Sequence, residues 1–192
     1  GSTLATVPAE VPYLRPPSGA AEGRLLSLIR ASTHLRVGLV WKSGTLAPRH
    51  ASRDLGREEV ELLLAVPGIS WFPLQYGEKL SDLLGPTAER RVVADLGPVI
   101  GDFAATAAVV TELDLLITVD TAALHLAGAL GQPVWALIPE PGDWRWMADQ
   151  DRSPWYPTLS LFRQPRRDDW REPLSRLVDL LALEAAAGRG RR

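Results

Sequence analysis

Cysteine is absent from this sequence, which excludes a disulfide framework, a thiolate nucleophile and a cysteine-ligated metal. No charge of one sign accumulates either. The 21 Lys and Arg stand against 23 Asp and Glu, a formal net charge of −2 dispersed along the chain. That balance supplies no basic surface for DNA or RNA, so nucleic acid is not an expected partner. Long apolar runs are missing too: none reaches the ~18 residues a membrane-spanning helix needs. The opening residues hold no basic stretch followed by an apolar one, so no secretory signal is read there. The expectation is a soluble cytoplasmic domain. Gly1 and Ser2 read as the scar of a removed tag and are set aside.

Apolar residues make up 46% of the 192, enough for a chain of this size to bury a core of its own. Pro8, Pro12, Pro16 and Pro17 deny helix to the start and favour extended backbone. Residues 3–20 are therefore read as an arm or interdomain linker, 21–187 as one domain, and 188–192 as a frayed basic tail. Within the domain β-rich runs alternate with helical ones. Strands are expected at 35–41, 69–75, 91–96, 115–119, 134–138 and 159–162. Helices are expected at 22–30, 57–65, up to about 84, 102–112 with Asp102 as N-cap, 121–130 and 170–187. Short apolar strands separated by helices of about ten residues predict an α/β fold, a Rossmann-like parallel sheet flanked by helices. Runs such as Leu115-Leu116-Ile117 suit strands buried on both faces.

In such sheets ligands bind beyond the carboxyl ends of the strands. Of the loops there, the one after Val119 is the most informative. Asp120 and Thr121 open a helix, and Ala122 and Ala123 keep its first turn free of bulk. Unpaired N–H groups and the helix dipole make that turn suited to phosphate; equally, Asp120 or Thr121 serves as an ordinary helix cap. His125 lies one turn further on the same side, to reach a phosphate, orient Asp120 or act structurally. His50, in a polar loop, cannot be ranked by pattern.

Lys42-Ser43-Gly44-Thr45 brings a cation, hydroxyls and a glycine directly after a strand. Neither a P-loop nor a G-x-G-x-x-G is present. Arg49 and Arg53 are cations able to approach the same space or to stay solvated. Gln75 and Glu78 follow the second strand, where a glutamate can meet ribose hydroxyls or simply start a helix. Trp144 and Trp146 flank Arg145 after another strand, offering aromatic faces to a sugar or base, or cover to the core. No H-x-x-x-H or Asp-x-Asp follows a strand, so no metal site is expected, and Asp149 and Asp151 read as solvated loop acids.

Several segments together resemble a known family: Val37-Gly38-Leu39-Val40-Trp41, Leu74-Gln75, Asp102-Phe103-Ala104, the stretch from Leu115 through Asp120-Thr121-Ala122-Ala123-Leu124-His125 to Pro133-Val134-Trp135, Asp143-Trp144-Arg145-Trp146, Ser153-Pro154-Trp155-Tyr156-Pro157 and Leu161-Phe162-Arg163-Gln164. They are similar to the C-terminal domain of bacterial heptosyltransferase-like glycosyltransferases (glycosyltransferase family 9), of the type often fused to tetratricopeptide repeats, and more distantly to O-GlcNAc transferases. The resemblance implies the C-terminal half of a GT-B fold, holding a nucleotide-sugar donor, with an N-terminal domain bringing the acceptor and the catalytic base. It implies that Thr121, Ala122 and Ala123, with Lys42 and Arg53, hold the donor diphosphate, that Gln75 and Glu78 face the nucleoside, and that Asp120 and Trp144 lie at the sugar. Asp120 and His125 are the catalytic candidates near that sugar.

The sequence also departs from that family. Relatives carry a small residue and an asparagine where Lys42-Ser43-Gly44-Thr45 stands, an Arg-Ser-Ile-Pro helix start in place of Arg53-Asp54-Leu55-Gly56, and a glycine where Ala122 stands. The implied reaction is inverting, metal-independent sugar transfer, with the nucleoside diphosphate sugar as substrate and no cofactor. No catalytic base is found in this chain. The alternatives are a degenerate, non-catalytic domain serving interaction or regulation, and a GT-B sugar-nucleotide epimerase.

Overall fold

The computed structural model describes residues 3, 6–44, 53–86, 92–148 and 150–188. Gly1, Ser2, Thr45, Arg49, His50, Arg91, Asp149 and residues 189–192 lie outside the described residues. Among those described, β1 (Leu35–Val40), β2 (Ile69–Pro73), β3 (Leu115–Val119), β4 (Val134–Ile138) and β5 (Leu159–Arg163) form one sheet. Its order is β2-β1-β3-β4-β5 and every pairing is parallel. The helices are α1 (Gly23–Arg30), α2 (Arg57–Leu64), α3 (Leu80–Leu84), α4 (Phe103–Val110), α5 (Ala122–Ala129) and α6 (Arg171–Ala186). This is the Rossmann-like α/β arrangement that the alternation of strand and helix patterns predicts.

Strand side chains alternate between two apolar layers. Leu35, Val37, Leu39, Leu115, Ile117 and Val119 point to one face, where α2, α3 and α6 supply Val60, Leu63, Leu80, Leu177 and Leu181. Val40, Phe72, Leu116, Val134, Ala136 and Leu161 point to the other, against Ile29, Ala107, Val110, Leu124 and Ala127 from α1, α4 and α5. Both faces are thus covered, which is why these strands are apolar at successive positions.

Helix ends explain the loop geometry. Asp102 caps α4 as expected, accepting from the Ala105 N–H at 2.8 Å. At the far end of α5 the chain closes a Schellman turn. The Gly131 N–H donates to the Gly128 carbonyl and the Gln132 N–H to that of Ala127, both at 3.0 Å. Gly131 has φ +70, the left-handed conformation this turn requires.

One expected strand does not form. Over the described residues 92–96 the backbone makes only scattered bonds beside β2: the Val93 N–H donates to the Trp71 carbonyl at 3.0 Å and the Leu96 N–H to that of Pro73 at 2.8 Å. Between them Asp95 turns its carboxylate onto the N–H groups of Leu80, at 2.7 Å, and Gly97, at 3.2 Å. Such local side-chain bonds compete with a regular ladder.

The segment is anchored by close backbone approach. A Cβ added at Gly97 would stand 2.1 Å from the Gln75 carbonyl oxygen. Replacing Gly97→Ala is therefore expected to destabilise the fold by about 1–3 kcal/mol, read as a lowered urea midpoint at unchanged slope.

Candidate functional site

The strand order places β2 and β3 on opposite sides of β1, so connections diverge between β1 and β3. A parallel sheet opens a crevice at such a switch point, because loops leaving neighbouring strands run in opposite directions. A cavity of about 490 Å³ lies there, lined by Val40 at the end of β1, Leu74 beyond β2 and Thr121 beyond β3. Two other grooves, of about 610 and 510 Å³, share no lining residue with it.

The cavity brings together Lys42, Gln75, Thr121, Ala122 and Ala123, along with Ser43, Tyr76, Asp102, Phe103 and Thr106. Thr121 is the N-cap of α5 in extended conformation, φ −139 and ψ 171, yet its side chain makes no cap hydrogen bond. Its hydroxyl lies 3.1 Å from that of Thr118 on β3, which donates to the Val119 carbonyl at 2.8 Å. The hydroxyl of Thr121 is held against the strand, and the first turn of α5 opens onto the cavity without a capping side chain.

The cations and acids pair with one another. Lys42 is hydrogen-bonded to Glu78, and that bond holds its ammonium pKa above the ordinary lysine range. Arg53 Nη1 lies 3.8 Å from Asp120 Oδ2, an ion pair with no direct hydrogen bond. Asp120 immediately precedes the α5 cap, so a carboxylate already sits beside that helix terminus.

Gln75 takes a structural part that sequence pattern did not reveal. Its Oε1 accepts from the N–H groups of Trp41, at 3.2 Å, and Lys42, at 2.9 Å, while its Nε2 donates to the Lys42 carbonyl at 3.2 Å. The side chain is buried and ties the exit loop of β1 to that of β2. Gln164, just beyond β5, repeats the device by accepting from the Glu140 N–H at 3.0 Å beyond β4. Both glutamines close an edge strand of the sheet.

His125 and Trp144 are not among the residues that line the cavity. The His125 ring stacks on Trp146 at 5.3 Å and meets Tyr156 edge-on at 5.8 Å. Its Nδ1 is 3.2 Å from the Tyr156 hydroxyl, which accepts from Tyr13 at 3.5 Å. Burial pushes the Tyr156 phenol well above its ordinary range, helped by the bond from Tyr13. The two tryptophans divide: Trp146 is fully buried, whereas Trp144 is 68% exposed. Trp144 lies edge-on to Trp155 at 6.2 Å and has the Arg145 guanidinium 5.2 Å from its ring centre. It does not line the cavity.

Tyr76 and Thr106 belong to no motif, and Phe103 falls only within the Asp102-Phe103-Ala104 segment of the resemblance, with no role attached. The usable signal was position, since each lies in or just past a loop leaving the carboxyl end of the sheet. Among the described residues no group of three or more His, Cys, Asp or Glu is placed to hold a metal ion. No described helix is long and apolar enough to cross a membrane.

No family model matches the chain. Protein FlbA of Caulobacter vibrioides is 30% identical over an alignment of 159 residues that covers 79% of this chain and 26% of FlbA. The chain thus spans about a quarter of that relative's length. The crystal structure of the glycosyl transferase family 9 protein from Veillonella parvula DSM 2008 aligns with 88% of this chain and 45% of its own, at a TM-score of 0.49 and 12% sequence identity.

Two outcomes follow from the geometry. Gln75→Leu leaves three main-chain groups without their partner, and is expected to cost about 2–4 kcal/mol in chemical denaturation. The second concerns His125, whose imidazole is held below its ordinary value of about 6.5 by burial, with the Asp120 carboxylate opposing. Well above that value the folded and unfolded chains both carry a neutral ring. As pH falls below it the unfolded chain takes up the proton first, so this group's share of stability declines. Denaturation series between pH 7.5 and 5.5 (values near neutrality where the ring titrates) should show that decline, with a shallower slope in His125→Gln.

Proposed function

We propose that this chain is the donor-binding domain of a nucleotide-sugar-dependent glycosyltransferase and holds the donor diphosphate at the first turn of α5. One observation carries the reading: an eight-residue helix with no side-chain cap begins at the cavity where β1 and β3 diverge. The free N–H groups and the positive end of the helix dipole attract an anion there. The motif resemblance around Asp120, Thr121 and His125 supports a sugar nucleotide over other phosphates.

In this reading Lys42 and Arg53 exchange their carboxylate partners for phosphate oxygens when donor binds. Glu78, released from Lys42, accepts from ribose hydroxyls, and Asp120, released from Arg53, lies beside the donor sugar. Trp144 offers its open face at the sugar side. The amides of α5 and the two cations stabilise the departing diphosphate as the glycosidic bond breaks, in place of a metal ion. Gln75 lies toward the nucleoside and keeps the β1 loop in position. His125, packed between Trp146 and Tyr156, is a positioning residue for the α5 turn.

The general base and the acceptor site belong to an N-terminal domain that completes a GT-B enzyme, in a longer chain of the type fused to tetratricopeptide repeats. A second reading, a non-catalytic domain derived from the same fold, is favoured by the Lys42–Glu78 and Arg53–Asp120 pairs, in which both cations assigned to the diphosphate already face a carboxylate.

Ala122→Pro tests the diphosphate cradle. Proline fits the first helical position, and Thr121 already has the extended conformation that a following proline demands. The variant thus removes one N–H from the turn and keeps the fold. Calorimetric titration with ADP, UDP, GDP and their sugar esters, without metal, should show one or more binding to the unmodified protein. In the variant that affinity should fall about tenfold with the denaturation midpoint unchanged. Flat titrations across the panel would put the non-catalytic reading first.

A further inference from the structure

Four aromatic side chains are strongly exposed: Tyr13, Tyr76, Phe103 and Trp144. Two of them have partners. Tyr13 donates to Tyr156, and Trp144 packs against Trp155 and Arg145. Tyr76, 73% exposed, and Phe103, 63% exposed, make no ring contact among the described residues. Both line the same cavity, and Thr121 lines it too. A single exposed apolar residue needs no explanation. Two unpaired aromatic rings flanking one cavity, next to a helix terminus suited to phosphate, form a surface with a π-face and an anion pole within reach of one molecule.

The other side chains at this cavity are already engaged. Gln75 is bonded to the backbone of Trp41 and Lys42. Asp102 caps α4, and Thr106 donates to the Asp102 carbonyl at 2.7 Å. A base lodged here therefore finds aromatic faces more readily than side chains set to read its edge. Stacking favours every base, because every base has a π-face; strong discrimination needs edge groups aimed at one pattern.

Resting on the reading of the cleft as a nucleotide site, we propose that Tyr76 and Phe103 form the nucleobase subsite, gripping the base by stacking with little choice among bases. The phosphates then reach from these rings to the first turn of α5, and Phe103, the first residue of α4, sets base affinity without touching the sugar.

Calorimetric titration of the full chain and its Phe103→Ala and Tyr76→Ala variants with inorganic pyrophosphate, ADP, UDP and GDP tests this. Pyrophosphate reads the phosphate cradle alone, and the nucleotides read cradle and subsite together. The proposal expects the three nucleotides to bind the unmodified protein within about tenfold of one another, and each more tightly than pyrophosphate. Each alanine variant should lose nucleotide affinity by roughly tenfold while pyrophosphate binding is unchanged, and Phe103→Tyr should restore it. Nucleotide affinities unmoved by both alanine variants would overturn the subsite, as would a preference for one base beyond about a hundredfold. Pyrophosphate bound as tightly as every nucleotide would overturn the subsite and leave the cradle standing. Failure of all four ligands to bind the unmodified protein would overturn the cleft reading and the subsite with it.

Discussion

The sheet is covered by helices on both sides, and that double coverage constrains everything else in the molecule. A strand with two apolar faces has no room along its length for a side chain that must meet water or a ligand. Thr118, buried in β3, shows what such a position asks: its hydroxyl is satisfied by the Val119 carbonyl and the neighbouring Thr121 hydroxyl. Polar chemistry is thereby driven to the loops beyond the carboxyl ends. The divergence of connections at β1 and β3 then decides which loops part widely enough to leave a cavity.

Those loops are not left to wander. Gln75 and Gln164 each end an edge strand and reach inward to the backbone leaving the next strand. The edge strands have a ladder partner on one side only, and each glutamine adds a tie from an edge strand's exit to its inner neighbour. A buried carboxamide suits the task because it donates and accepts at once. It also carries no charge that burial would penalise.

The fold was legible in the sequence because buried parallel strands and short helices write different periods, and 115–119 followed by 122–129 has both at full strength. The caps at Asp102 and Gly131 were legible as punctuation. The strand expected at 91–96 was misread since apolar and β-branched residues there suggest a ladder, whereas Asp95 diverts the backbone locally. The Asp120 turn could be seen from residue types in order. The ion pairing of Lys42 with Glu78 and of Arg53 with Asp120 could not, because it depends on how far apart the fold sets loops distant in sequence. Trp144 and Trp146 are two residues apart and meet opposite environments, a difference that composition cannot carry.

The segment before α1 is tied to the far end of α5. The Ala129 carbonyl, at the last turn of α5, accepts from the N–H groups of both Tyr13, at 3.0 Å, and Leu14, at 3.2 Å, so a carbonyl left over by the helix is satisfied from outside. The segment before α1 therefore pins the last turn of α5, while the Thr121 turn lies at the helix's other end, about 12 Å off, the length of eight residues at helical rise.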